Sequence, residues 1–169
     1  MRWGLIPPWA KDPAIGYKMI NARCETLAEK FSFRKPLKEH RCLIIADGFY
    51  EWQAQGPVKQ PMRIMLKSGE SFGFAGLWDE WKSPMGDIIQ SCAIITTEAN
   101  ELLKSVHDRM PVILPTEAED VWLNPQTHDP VVLLPLLKPY PAEEMKVYPV
   151  STIMNSARHD TPECVVPIT

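Results

Sequence analysis

An imidazole, a carboxylate and a guanidinium stand side by side at His107-Asp108-Arg109, followed by Pro111 and the apolar run Val112-Ile113-Leu114. A histidine placed where a loop enters a buried strand can be held in one orientation. Imidazole is also the side chain most easily tuned for proton transfer near neutral pH. The same stretch reads equally as a cap, with His107 at the negative C-terminal end of a preceding helix. On this stretch alone both readings stand.

Two further polar islands interrupt apolar sequence: Asn21-Ala22-Arg23-Cys24-Glu25, and Glu51 inside Phe49-Tyr50-Glu51-Trp52. A carboxylate flanked by three aromatic residues is costly to bury unless it is paired or protonated. Glu51 therefore either faces water or occupies a tuned pocket. Strand alternation places Phe49 and Glu51 on one face and Tyr50 and Trp52 on the other, which gives the mixed face of a cleft floor. Between Tyr17 and Arg41 the cations Lys18, Arg23, Lys30, Arg34, Lys35, Lys38 and Arg41 outnumber Glu25, Glu29 and Glu39. A solvated helix face is the ordinary source of such a cluster, and a local basic groove is the other. The net charge of −3 argues against broad non-specific binding to nucleic acid.

The four cysteines, Cys24, Cys42, Cys92 and Cys164, are widely spaced, and His40-Arg41-Cys42 is the only close His/Cys pair. A zinc site wants two tight ligand pairs, so no metal or other cofactor is expected. All but Cys164 lie in apolar or helical sequence and read as buried reduced thiols.

The elements that must position these groups are mostly strands. Trp3-Ile6 reads as a strand end stopped by Pro7-Pro8, and strands are expected at Cys42-Ala46, continuing through Asp47-Gly48 into Phe49-Trp52, and at Met62-Lys67. Others are expected at Phe72-Trp81, Ser91-Thr97, Met110-Leu114 and Met145-Val150. Ile20-Asn21-Ala22-Arg23 reads as the lead-in to a short helix over Glu25-Lys30, and Pro36 as the first-turn residue of the next. Asn100 is the expected N-cap of a helix ending at Val106. Thr116-Glu117-Ala118-Glu119 resembles a capping box for a helix to Leu123, and Pro130-Leu137 reads as another helix. Helices do not alternate regularly with strands, which disfavours a parallel α/β fold. The expectation is an α+β single domain over residues 1–169, with a curved, mostly antiparallel, barrel-like sheet and short inserted helices. No apolar run is long enough to span a bilayer and no signal peptide is visible, so a cytoplasmic protein without membrane contact is expected.

Four segments together resemble the SRAP (SOS-response-associated peptidase) family: Trp3-Gly4-Leu5-Ile6-Pro7-Pro8-Trp9, Asn21-Ala22-Arg23-Cys24-Glu25-Thr26, Ala46-Asp47-Gly48-Phe49-Tyr50-Glu51-Trp52 and Val106-His107-Asp108-Arg109-Met110-Pro111. They occur in the family's order and cover essentially the whole chain. The resemblance implies binding to single-stranded DNA at an abasic site, in the SOS response to DNA damage, followed by a covalent DNA-protein crosslink to the sugar aldehyde. In the family a Cys directly after the initiator Met supplies an α-amine for a Schiff base and a thiol that closes a thiazolidine. An α-amine, with an unperturbed pKa of about 8, is partly neutral at physiological pH and suits that role.

By the same resemblance Asn21 orients the amine, Glu51 assists proton transfer at the sugar, and His107 is the acid/base that opens the hemiacetal. Arg23 and Arg109 match phosphate-contacting arginines, and Trp9 and Trp52 match aromatics beside the DNA, where core packing is the competing explanation. A nucleoid location accompanies DNA binding. Two other activities stay open: a cysteine-type (auto)peptidase, and a non-catalytic single-stranded DNA binder.

The chain departs from the family at its start, where Arg2 follows Met1 and the family's opening Met-Cys-Gly-Arg segment is not seen. That reads as a SRAP-like domain lacking the family's N-terminal segment, with a sheet edge that self-association with another copy would cover. The polypeptide beginning at Met1 is accordingly expected to form no stable thiazolidine with abasic-site single-stranded DNA, checked on a denaturing gel. A heat-stable adduct would contradict this, and an upstream Met-Cys segment should create one.

Overall fold

The computed structural model describes residues 1–168. Its residues gather into two compact units. One comprises residues 1–45, 73–97 and 111–139; the other comprises, among the described residues, 46–72, 98–110 and 140–168.

In the first unit the long strands β6 (Phe72–Lys82) and β7 (Ile88–Glu98) pair antiparallel, with Gly76 opposite Ile94 and Lys82 opposite Ile88. β3 (Arg41–Ala46) flanks β6 on the other side. Two short strands lie parallel to β7: β1 (Arg2–Trp3) and β2 (Asn21–Arg23). β9 (Ile113–Leu114) pairs antiparallel with β6. Leu77, Ala93, Ile95 and Ala22 from these strands are buried with Phe33 and Leu37 of α1 (Phe31–Glu39) and Trp122 of α2 (Thr116–Leu123). α3 (Pro130–Leu133) adds Leu133, and its helix continues as a 3₁₀ turn through Leu136.

Arg41 ties the ends of two helices together. Its Nη1 donates to the carbonyls of Leu37 and Lys38 at 2.8 and 2.6 Å, in the last turn of α1. Its Nε and Nη2 donate to Trp122 and Asn124 carbonyls at 2.6 and 2.7 Å, at the end of α2. The last carbonyls of a helix have no partner inside it, and a cation is favoured there. Only the planar fork of a guanidinium reaches all four at once. Arg41 is therefore 9% exposed and not part of a solvated basic face.

In the second unit β5 (Val58–Leu66) is the centre of a three-stranded antiparallel sheet, between β4 (Phe49–Gln55) and β10 (Met145–Pro149). Glu51 faces Met62 and Val147 faces Ile64. The tail after Val150 holds two 3₁₀ turns, Thr152–Asn155 and Pro162–Cys164. It is fastened by Tyr50 Oη donating to the Cys164 carbonyl (3.1 Å) and Tyr148 Oη to the Val165 carbonyl (3.0 Å). β8 (Arg109–Pro111) comes after the 99–108 loop.

The α+β class, the predominance of antiparallel pairing and the short helices match the sequence reading; among the described residues the strands form two sheets and no closed barrel. Several boundaries differ. β3 does not run on into β4: Asp47 and Gly48 break it. Asp47 pairs with Arg63 at 3.0 Å, and a Cβ at Gly48 would stand 2.8 Å from the Ile64 carbonyl oxygen. Residues 21–23 form a strand, not a helical lead-in, because β7 supplies a parallel ladder and only a 3₁₀ turn, Cys24–Thr26, comes next. Pro36 sits inside α1, where burial beside Phe33 and Leu37 offsets the hydrogen bond it cannot donate. β5 begins earlier than Met62 and runs through Pro61. Met110–Leu114 divides into β8 and β9. Thr116 is the first residue of α2 and makes no capping bond. Cys164 is buried, while Cys24 and Cys42 are half-buried. Among the described residues no helix is long and apolar enough to cross a membrane.

Arg41→Met is expected to lower unfolding stability by roughly 3 kcal/mol or more, because it strands buried carbonyls at two helix ends. Arg41→Lys should recover less than half of that loss in a urea titration. A near-neutral Arg41→Met would contradict the bracing role.

Candidate functional site

The pleat of β4 sorts its side chains by parity. Tyr50 and Trp52 turn towards the C-terminal tail: Tyr50 reaches the Cys164 carbonyl, and Trp52 Nε1 donates to Asn155 Oδ1 at 2.8 Å. Glu51 and Gln53 turn towards the loop that carries His107. Gln53 Nε2 donates to the Ser105 carbonyl at 3.1 Å, and the Glu51 carboxyl feels the charges of His107 and Asp108.

That loop is closed at its base and anchored inside. The Ala99 N–H donates to the Asp108 carbonyl at 3.0 Å. Asn100 caps the first turn by accepting from the Leu103 N–H (3.1 Å), as its position in the sequence suggested. Its Nδ2 also donates to the Tyr140 carbonyl at 2.7 Å. Beyond this cap the chain makes a run of turns and not a regular helix. The His107 ring does not cap it, since Nδ1 lies 3.0 Å from the Arg109 N–H and 3.1 Å from Asp108 Oδ1. Accepting from Arg109 needs the Nδ1 lone pair, so a neutral ring carries its proton on Nε2. In the cationic ring Nδ1–H points at the Asp108 carboxylate. Nδ1 thus lies between a donor and an acceptor of the ring's own loop.

Glu51 is half-buried, and loss of water pushes its carboxyl above the ordinary carboxylate range. The positive charge of His107 and a hydrogen bond from the Trp52 backbone N–H oppose the rise, and the Asp108 charge adds to it. A carboxyl whose hold on its proton is strengthened, set beside an imidazole, is suited to proton transfer.

The other three expected residues belong to the first unit. β2 buries only Ala22, so Asn21 and Arg23 project from its exposed face together. Trp9 is 51% exposed in the loop after β1, with its ring 5.9 Å from that of Phe31. The structure therefore joins Glu51, Trp52, His107 and Arg109 within one unit, and Trp9, Asn21 and Arg23 within the other. Gln53 and Asn155 are the residues that sequence reasoning missed. Gln53 was signalled by standing two places after Glu51 on one strand; Asn155 lies too far along the chain for any local signal.

Among the described residues no three of His, Cys, Asp and Glu gather as metal ligands. The thiols are poor nucleophiles where burial acts on them: Cys42 is pushed up to about 12 by burial and the neighbouring Cys92, and burial raises Cys92 as well.

The family model described as SOS response associated peptidase (SRAP) matches residues 1–157. The chain belongs to the SRAP family. The abasic site processing protein YoqW of Bacillus subtilis is 57% identical over 98% of this chain and 74% of its own length. The abasic site processing protein HMCES of Gallus gallus is 38% identical over 99% of this chain and 56% of its own. A crystal structure of a Bacteroides thetaiotaomicron protein superposes with a TM-score of 0.92 at 34% identity, covering 99% of this chain and 75% of that one. SRAP membership accounts for all four motif segments lying within one matched span.

Because Glu51 titrates above its unfolded value, about 4.3, the native state keeps a proton that the unfolded chain has lost. Stability therefore falls as pH rises from that value through the folded pKa. Glu51→Gln is expected to melt with the wild type at pH 4 and above it at pH 7. A variant less stable than wild type at pH 7 would contradict the burial penalty.

Proposed function

We propose that this SRAP protein recognises abasic sites in single-stranded DNA and processes them through the aldehyde of the ring-opened sugar. The observation that carries the reading is the Glu51–His107 pair, a carboxyl raised by burial within electrostatic reach of a loop-held imidazole. Ring opening of a deoxyribose hemiacetal moves one proton onto the ring oxygen and one off the C1 hydroxyl. Imine formation then removes that oxygen as water, which again needs a proton donor. A carboxyl raised by burial and an imidazole supply this traffic.

His107 acts as the acid/base and Glu51 assists at the sugar. Asn21 orients the attacking amine. Arg23 and Arg109 hold phosphate through guanidinium forks, and the exposed rings of Trp9 and Trp52 meet unpaired bases. The names of the relatives, abasic site processing proteins of a bacterium and a vertebrate, support the substrate. DNA as substrate supports a cytoplasmic place of action at the nucleoid.

The test separates chemistry from binding. Imine formed with an abasic-site oligonucleotide is trapped by cyanoborohydride, and affinity is read separately by anisotropy with an uncleavable tetrahydrofuran analogue. His107→Ala should slow trapping by about 100-fold, within the usual span of general acid–base catalysis, and change affinity less than twofold. Equal trapping rates, or equal affinity of the wild type for abasic and intact strands, would overturn the proposal.

A further inference from the structure

The Glu51 carboxyl takes a hydrogen bond from the backbone N–H of the next residue, Trp52. That N–H is available because of how β5 is bonded. Trp52 stands opposite Pro61 in the β4–β5 ladder. The Pro61 carbonyl accepts from the Val150 N–H at 3.0 Å, on the other side of β5. In an antiparallel ladder, opposed residues alternate between pairs that exchange hydrogen bonds and pairs that do not. Trp52 and Pro61 are a pair that does not, so Trp52 turns its N–H away from β5. β4 is an edge of the three-stranded sheet. The β4–β5 ladder therefore does not hold the backbone at Trp52.

The side chain of Trp52 is held instead. Tyr50, Trp52 and Tyr148 reach from one face of the sheet to the tail and donate to the Cys164 carbonyl, Asn155 Oδ1 and the Val165 carbonyl. Two of these acceptors are backbone carbonyls, which any residue supplies. The third is a side chain, and Trp52 Nε1 meets it at 2.8 Å across 103 positions of the chain. Trp52 and Asn155 are both exposed, so water could satisfy either group. Such a bond adds little stability; what it confers is a fixed indole. Asn155 is itself fixed. It closes the 3₁₀ turn Thr152–Asn155, whose cap Ser151 accepts from the Ile153 N–H at 3.3 Å. Before that turn Val150 is tied to Pro61, and after it the Ile168 N–H donates to the Pro149 carbonyl at 3.0 Å.

We propose that Asn155 is a positioning residue for the Glu51 carboxyl: from the tail it fixes the Trp52 indole, and through it the backbone N–H that the carboxyl accepts. The tail beyond Val150 thereby becomes part of the candidate site. Any consequence for the sugar chemistry rests on the proposed function; the positioning itself does not.

The test follows the Glu51 carboxyl by ¹³C NMR titration, without DNA, in wild type, Asn155→Leu, Trp52→Phe and the double variant. Asn155→Leu removes the acceptor and Trp52→Phe the donor. Neither changes a charge, and neither touches His107 or Asp108, whose charges also act on the carboxyl. A carboxylate that accepts a hydrogen bond keeps its charge more easily, so a loosened N–H moves the midpoint upward. Both single variants should show that rise, and the double variant should show no more than the larger of the two. Melting temperatures should stay nearly unchanged.

An unmoved midpoint in Asn155→Leu, or rises that add in the double variant, overturn the positioning role. So does a fall in melting temperature with an unmoved midpoint, which is the mark of a merely structural bond. If Asn155→Leu fails to fold, judged by circular dichroism, Trp52→Phe decides alone, and its unmoved midpoint overturns the proposal. A second measurement links the bond to the reaction. Asn155→Leu should slow cyanoborohydride trapping by about fivefold, the size of one hydrogen bond, and should slow Glu51→Gln no further. A raised midpoint with unchanged trapping upholds the positioning and removes Glu51 from the reaction. An unmoved midpoint, with His107→Ala still slow in trapping, overturns the positioning and leaves the proposed function standing.

Discussion

A carboxyl group that loses part of its water must be compensated by charge, by hydrogen bonds or by a proton, and Glu51 draws on the charge of His107 and the Trp52 N–H. Its strand neighbours leave it no freedom to avoid this. The pleat of β4 sends Tyr50 and Trp52 to the tail, where their polar tips are satisfied by Cys164 and Asn155, and so commits Glu51 and Gln53 to the opposite face. On that face the 99–108 loop presents His107. Desolvation raises the Glu51 carboxyl; the imidazole and the Trp52 N–H hold the rise in check. The pair is thus one electrostatic unit built from a strand parity and a closed loop, and the assignment of proton-transfer roles depends on it.

The loop that carries His107 is closed and anchored by its own hydrogen bonds. Asn100 works as a turn cap and, through its amide nitrogen, as a clasp to the chain at Tyr140. The Ala99–Asp108 backbone bond closes the base. Within this frame His107 Nδ1 lies beside both the Arg109 N–H and the Asp108 carboxylate.

Much of this is legible in the residues. The alternation of Phe49-Tyr50-Glu51-Trp52 announces both the strand and the face on which Glu51 stands, because a period of two is visible over four residues. Asn100 is legible as a cap because its partner is three residues away. The failures share one cause, which is that the deciding partner is distant in the chain. Residues 21–23 read as the lead-in to a helix because three residues show no period and the strand they join lies about seventy positions on, at Ile94–Thr96. Arg41 reads as one more solvated cation because Trp122 and Asn124, which it braces, cannot be inferred from its neighbours. Pro36 reads as a first-turn residue because its burial beside Phe33 and Leu37 depends on tertiary packing. For the site, residue types are readable and hydrogen-bond partners are not: Gln53 and Asn155 are ordinary polar residues until the fold gives them Ser105 and Trp52.

The central claim is that Glu51 and His107 are electrostatically coupled around a partly desolvated carboxyl. The most direct measurement is a ¹³C NMR titration of the Glu51 side-chain carboxyl in the wild type and in His107→Ala. The account predicts a midpoint above the ordinary carboxylate range in the wild type, and a higher one still when the opposing charge of His107 is removed. A Glu51 midpoint in the ordinary range that does not move in His107→Ala would contradict it.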